Sequence, residues 1–483
     1  MTLSETIIAA ISQSVLCSYP WNKTVNISVA EKMVAETMQA PYALPIFGRN
    51  RIRSHERAIT LHDALAELLV REDQSGAVAI GSALSAHGLI IFVASDENKE
   101  LDLIAEHLRK VWTSLQQILR NRDDPPRVST GEFSERSKRE LELRRLVYQY
   151  SWNKHMQRYN NYKDPDLPRF FDEVLNQSLH VTDSPSDDGT YIHPSEMEAI
   201  RRFGAVCRFM DRCESANALD SVGLDDYILN TVHLVHQVKT IKQDAIIRWM
   251  RVLYGISGKF RLHPLPSFIE KICIVERTVQ AILHLPYSRH LGAVLDRDIN
   301  VVPVTIRPVL LQYDLLNDPS LCRIVAQAHW TARMFEDLWK RAVSDGKGVW
   351  RLERTVYPHC ECALLAHLVT DIPTMKEDTK PYGFIGVSNG SCTGCSLYFS
   401  AYNDVAEKAG LPKFYMSKFN ADTCHPWAKP EISREELSQD FESRLCTRAR
   451  SLLDEALDLT KDLIDSGEAV PWRIGKTDGA EDT

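Results

Sequence analysis

No apolar run in this 483-residue chain approaches the roughly 20 residues that a membrane-crossing helix needs. The longest, such as Gly88 to Ala94, have the length of buried strands. The N-terminus, Met-Thr-Leu-Ser-Glu-Thr-Ile-Ile-Ala-Ala, lacks the basic n-region of a secretory signal and carries an early acid. An excess of positive charge is missing too. With 57 basic against 65 acidic residues the net charge is −8, so no whole-chain attraction for nucleic acid or an anionic membrane follows. A local basic groove stays open. Internal repeats and low-complexity tracts are absent, so a repeat architecture is not expected. Clustered cysteines are scarce. The 11 cysteines are an odd number, and Cys17, Cys207, Cys213, Cys273, Cys322 and Cys446 are scattered. Isolated cysteines without a secretion signal read as reduced, buried small hydrophobes. The expected location is intracellular, in cytoplasm or nucleus.

What is present is ordinary in bulk: 44% hydrophobic and 25% charged residues, at a length that exceeds what one core fills. Residues 1–72 read mainly as helices around a turn-rich connection at Pro41–Ile52, with Leu61–Arg71 apolar at helical spacing. Gly76–Leu84 and Gly88–Ala94 are short, β-branched, strand-like runs joined by a plausible hairpin turn. Residues 97–345 read as an all-helical body, with patterns at Leu101–Leu119, Glu132–Lys154, Met197–Cys213, Leu224–Leu253, Pro266–Leu283 and Arg323–Ser344. The charged run opening the second of these reads as a solvated face laced with opposite charges. His233 and His236 share a helix face but have no obvious companion ligand, which favours surface or packing histidines. Val349–Tyr357 is expected to be extended, Pro381–Ser388 and Lys413–Phe419 to be strands, and Glu435–Ile464 a long amphipathic helix before a disordered tail from Gly475.

One cluster carries chemistry. His359 and Glu361 form the sole H-x-E of the chain, opening a helix, and Cys392 and Cys395 its sole C-x-x-C, opening another that Ser391 could cap. One imidazole and two thiolates make three ligands for tetrahedral Zn²⁺ and leave a position for water. Glu361 is then free to move protons. Both ligand sets lie at helix N-termini, whose positive ends favour thiolate. Competing readings remain: chance proximity in sequence, or a structural zinc site built from Cys360, Cys362, Cys392 and Cys395. Cys424 and His425 could close the pocket, and Trp427 could stack on a flat base or simply pack.

The order H-x-E, then S-C-x-x-C, resembles the H-x-E…P-C-x-x-C signature of zinc nucleobase deaminases, with Ser391 in the proline's place. With Pro381-Tyr-Gly-Phe-Ile-Gly-Val-Ser and His425-Pro-Trp, the segment Tyr357–Trp427 is similar to the nucleic acid/nucleotide deaminase superfamily, and more narrowly to a branch of it expanded in filamentous fungi. The resemblance implies a cytidine-deaminase-like three-layer α/β/α core. It implies His359, Cys392 and Cys395 as zinc ligands, Glu361 as the catalytic proton carrier, and a nucleobase-containing substrate, free or in nucleic acid. The function expected is hydrolytic deamination. The rival is a catalytically silent scaffold pinned by zinc.

Such a core needs a helix and a hairpin ahead of its H-x-E helix, and those pieces occur far upstream. The expected α/β architecture is therefore a deaminase core split by the helical body: residues 1–96 completing the sheet, 97–345 inserted, 346–430 carrying the site, and 431–483 a helix and tail. The alternative is a separate N-terminal α/β domain beside a compact C-terminal deaminase. Pairing of the upstream strands with Tyr382–Ser388 discriminates the two.

Overall fold

A computed structural model describes residues 60–71, 76–85, 88–123, 134–175, 192, 196–216, 218–240, 243–257, 265–288, 292–314, 351–371, 379–416, 428–434 and 437–448. The expectations for residues 1–59, Arg323–Ser344, Cys322, Cys424, His425, Trp427 and the tail lie outside the described residues. Among the described residues no helix is long and apolar enough to cross a membrane. The architecture is mixed α/β, mostly helical with small sheets.

Helix α1 (60–68) leads to the hairpin β1 (Val78–Ser85) and β2 (Gly88–Ser95), which pair antiparallel from Val78↔Ser95 to Ser85↔Gly88. Among the described residues six helices follow: α2 (Leu101–Arg120), α3 (Glu135–Tyr162), α4 (Leu167–Leu175), α5 (Met197–Ala216), α6 (Leu224–Thr240) and α7 (Gln243–Ser257). A long helix, α8 (Leu265–Tyr287), packs against α2 and α3. Apolar residues at helical spacing explain the packing. On α2, Ile104, Leu108, Val111, Leu115 and Ile118 are all buried on one stripe. On the outer side of α3, Arg139 pairs with Glu135 at 3.0 Å and with Glu142 at 2.9 Å, as a solvated charged face should. His233 and His236 both face solvent on α6.

The body is not all-helical. Strand β3 (Ile299–Pro303) runs parallel to β2, and β4 (Val309–Asp314) pairs antiparallel with β5 (Arg351–Val356). The physical reason is visible in Ile-Asn-Val-Val-Pro, a β-branched run too short and too half-exposed to show a period. It sits at the sheet edge, where its proline is tolerated.

Residues from beyond the body return to the hairpin. Helix α9 (Cys360–Asp371) precedes β6 (Lys380–Pro381) and β7 (Gly386–Val387), and both short strands pair antiparallel with β1. The expected continuous strand Pro381–Ser388 is thus broken. Ala83↔Pro381 and Ile80↔Gly386 are out of step by two residues, the extra length lying within 382–385. There the Phe384 backbone meets Tyr415 in a parallel bridge, the described part of the expected strand at 413–419. The strand order is β3-β2-β1-β6, with β7 also on β1. The upstream hairpin and residues 380–387 therefore share one sheet, the pairing named above as discriminating the two arrangements.

Both faces of this sheet are covered. Val78, Ile80, Leu89, Ile91 and Val93 point into the core shared with α1, α2 and the helical body. Ala79, Ala83, Phe92 and Ala94 point the other way, toward α9 and α10 (Thr393–Ala409). On that second face β1 presents only the small residues Ala79, Gly81 and Ala83, and a Cβ on Gly81 would stand 3.0 Å from Leu368 Cδ1 of α9, so α9 sits close. Period-two alternation of two apolar sets is what a sheet buried on both faces requires. Helix α10 ends at Gly410, whose φ of 66° lies in the left-handed region that glycine adopts at low cost. Helix α11 (437–448), the last among the described residues, packs Phe441 edge-on against Tyr398 of α10.

Candidate metal centre

The site forms where the first turns of α9 and α10 meet beside the ends of β1 and β2. His359 immediately precedes α9, and its carbonyl accepts the Ala363 N–H at 3.0 Å. Cys392 caps α10 and its carbonyl accepts the Ser396 N–H at 3.0 Å. The cap is Cys392 and not the expected Ser391, and its side chain makes no capping bond. Both cap positions thus send their side chains inward. His359 Nδ1 lies 3.6 Å from Cys392 Sγ and 3.2 Å from Cys395 Sγ, and the two sulfurs are 3.4 Å apart.

These spacings come near those around one tetrahedral ion, with the 3.2 and 3.4 Å pairs slightly closer together. With Zn–S about 2.3 Å and Zn–N about 2.0–2.1 Å, ligand atoms stand roughly 3.5–3.8 Å from one another. The group that converges, all within 4.8 Å, consists of His359, Cys392 and Cys395. Neither Cys360 nor Cys362 belongs to it, so the four-cysteine arrangement is not the one formed. Burial keeps the thiols of the pocket in their neutral form unless a cation is bound. Burial pushes the Cys395 thiol well above its ordinary range, reinforced by the neighbouring Cys362 and by the Glu361 charge. Burial likewise pushes Cys362 up to about 12. Thiolates in such a pocket need a compensating positive charge.

Glu361, 5% exposed, lies in the first turn of α9. Its Oε2 accepts from Cys360 Sγ at 3.5 Å, and the Cys360 thiol is raised by burial first, then by the Asp96 and Glu361 charges. The structure thus places all four sequence-expected residues at one locus, three as a triad and Glu361 beside it.

Two further contributors were not singled out as site residues, although Ser388 ends the quoted Pro381–Ser388 stretch. Asp96, at the end of β2, accepts the Cys360 N–H at 3.0 Å. Ser388, following β7, accepts the Val78 N–H through its hydroxyl at 2.9 Å and returns its own N–H to the Val78 carbonyl at 2.9 Å. Their partners lie 264 and 310 residues away, so no local pattern could reveal them.

Nothing among curated proteins or solved structures matches the chain. A family model does, described as OTT_1508_deam:-like deaminase, and it covers residues 358–431. That stretch contains His359, Glu361, Cys392 and Cys395, the residues whose geometry is described above. Residues 358–431 are accordingly a deaminase-like segment, related to the cytidine-deaminase-like superfamily.

Proposed function

We propose that this protein is a zinc-dependent hydrolytic deaminase acting on a nucleobase, carried in a nucleotide or in nucleic acid. The observation that supports this reading above others is the convergence of one imidazole nitrogen and two sulfurs beside a buried, non-ligating glutamate. His359, Cys392 and Cys395 would hold the ion and leave one tetrahedral position for water. When bound, zinc supplies the lowering of a water's pKa toward neutrality. Glu361 is the group placed to receive that proton and to deliver it to the ring nitrogen and the departing amine. Water replaces the exocyclic amine of the base, and ammonia leaves.

The two covered faces of the sheet, and its strands drawn from both sides of the helical body, support reading the core as a three-layer deaminase fold split by an insertion. The motif resemblance favours the branch expanded in filamentous fungi. Buried, free Cys207, Cys213 and Cys273 support an intracellular, reducing location.

Metal analysis of purified protein, followed by an ammonia-release screen over nucleosides, nucleotides, single-stranded DNA and RNA, tests the reading. One equivalent of zinc and ammonia from at least one base is expected. Zinc without ammonia from any of them selects the silent scaffold. Absence of zinc after metal-replete expression ends the proposal.

A further inference from the structure

The first N–H groups of a helix need acceptors from outside its own ladder. At α9 the cap residue cannot supply one, because the His359 ring is turned toward Cys392 and Cys395. Asp96 takes over that role from another strand. Its Oδ1 accepts the Cys360 N–H at 3.0 Å, and its Oδ2 accepts the Ala77 N–H at 2.9 Å. The Asp96 N–H in turn donates to the Ala77 carbonyl at 3.0 Å. One side chain therefore joins the start of β1 and the end of β2 to the first turn of the helix that carries Glu361. A carboxylate at the positive end of a helix is also electrostatically favoured.

The carboxylate itself is held in place. A Cβ on Gly76 would stand 2.6 Å from Asp96 Cβ, so the chain passes tightly beside it. Just beyond, Asn98 and Glu100 adopt positive φ of 57° and 54° although neither is glycine. The Asn98 side chain donates to the Ile306 carbonyl at 2.8 Å and accepts the Ile306 N–H at 2.6 Å. Such backbone strain persists only where the surroundings over-determine it, and it concentrates at functional sites.

We infer that Asp96 is a positioning residue of this site, fixing the first turn of α9 so that His359 and Glu361 keep their places relative to Cys392 and Cys395. The inference rests on the deaminase reading for its effect on catalysis, but its structural half can be tested without turnover. Asp96→Ala removes both acceptors, whereas Asp96→Asn keeps one, since an amide offers a single oxygen.

In Asp96→Ala, kcat is expected to fall about 10–100-fold, as losses in the shell behind a reacting group do. KM should change less than about threefold, because substrate binding is not what Asp96 serves. Asp96→Asn should fall between Asp96→Ala and the unaltered protein. Deuterium exchange in the peptide spanning Cys360 and Glu361 should accelerate at least about tenfold in Asp96→Ala, while α8 keeps its rate. If the alanine variant cannot be purified, the asparagine variant carries the same comparisons. Should the unaltered protein release no ammonia from any base, the deaminase reading fails alone, and exchange at Cys360–Glu361 still decides for Asp96. Unchanged kcat with unchanged exchange, or acceleration shared equally by α8, overturns the inference.

Discussion

Glu361 lies beside the thiols of Cys360 and Cys395 without being one of the three converging ligands, and this separates two kinds of variant. Glu361→Ala should keep its zinc and nearly all of its thermal stability, while ammonia release drops by about 10²–10⁴-fold, the usual worth of positioned proton transfer. Cys392→Ala should lose both metal and stability, because a ligand is gone and the remaining buried donors lose their cation. Metal content and melting temperature, measured on both variants together, check this. If Glu361→Ala destabilises as badly as Cys392→Ala, Glu361 is structural and the scaffold gains. At this scale the sequence was informative where chemistry is local. His359 with Glu361, and Cys392 with Cys395, are read directly from spacing on two helices. Asp96 was invisible, since an aspartate following an apolar strand has no pattern until its distant partner is known, and Ser388 was legible only as the end of a strand, not as a partner of Val78.

Among the elements, amphipathic helices were legible and edge strands were not. Helices α2, α3, α5 and α8 bury one stripe over many turns, so their periodicity survives irregularities. Strands β3, β6 and β7 are five or two residues long, and their identity comes from pairing with β1 and β2. Contact between α1 and β7 depends on one glycine. A Cβ on Gly386 would meet the His62 carbonyl carbon at 2.3 Å and the Asp63 nitrogen at 2.7 Å, both backbone atoms that cannot swing aside. Gly386→Ala should therefore destabilise by about 1–3 kcal/mol or more, read from chemical denaturation. The helical elements also set a pH dependence. Burial lowers His155 of α3 to about 3 from 6.5, and does the same to His107 of α2, with Lys110 adding to the latter. Both are neutral in the native state and would take up a proton sooner when unfolded. Their contribution is complete above about pH 6.5 and is lost as pH falls toward 3. His155→Gln combined with His107→Gln should flatten the fall in stability between pH 6.5 and 4, whatever its effect at neutrality. An unchanged slope would contradict the burial argument.

For the molecule as a whole, the sheet joins chain segments that are far apart in sequence. Strand β1 holds β2 on one side and residues 380–387 on the other, with the helical body packed on one face and the two site helices on the opposite face. The pairing of the upstream hairpin with residues 380–387 could be anticipated because a hairpin was missing next to His359 and present upstream. The edge strands within the body could not, since nothing local tells a short Val-Val-Pro run where to pair. A fragment starting at residue 346 lacks β1, β2 and Asp96, so its apolar helix faces have nothing to cover them. It should be unfolded or insoluble by circular dichroism and sedimentation, and a folded, zinc-binding fragment would show the hairpin to be dispensable. The central claim is the ligand set itself. Zinc-edge X-ray absorption on the purified full chain reads it most directly. The account predicts two sulfur neighbours at about 2.3 Å and two nitrogen or oxygen neighbours at about 2.0–2.1 Å, one of them from His359; four sulfur neighbours would contradict it.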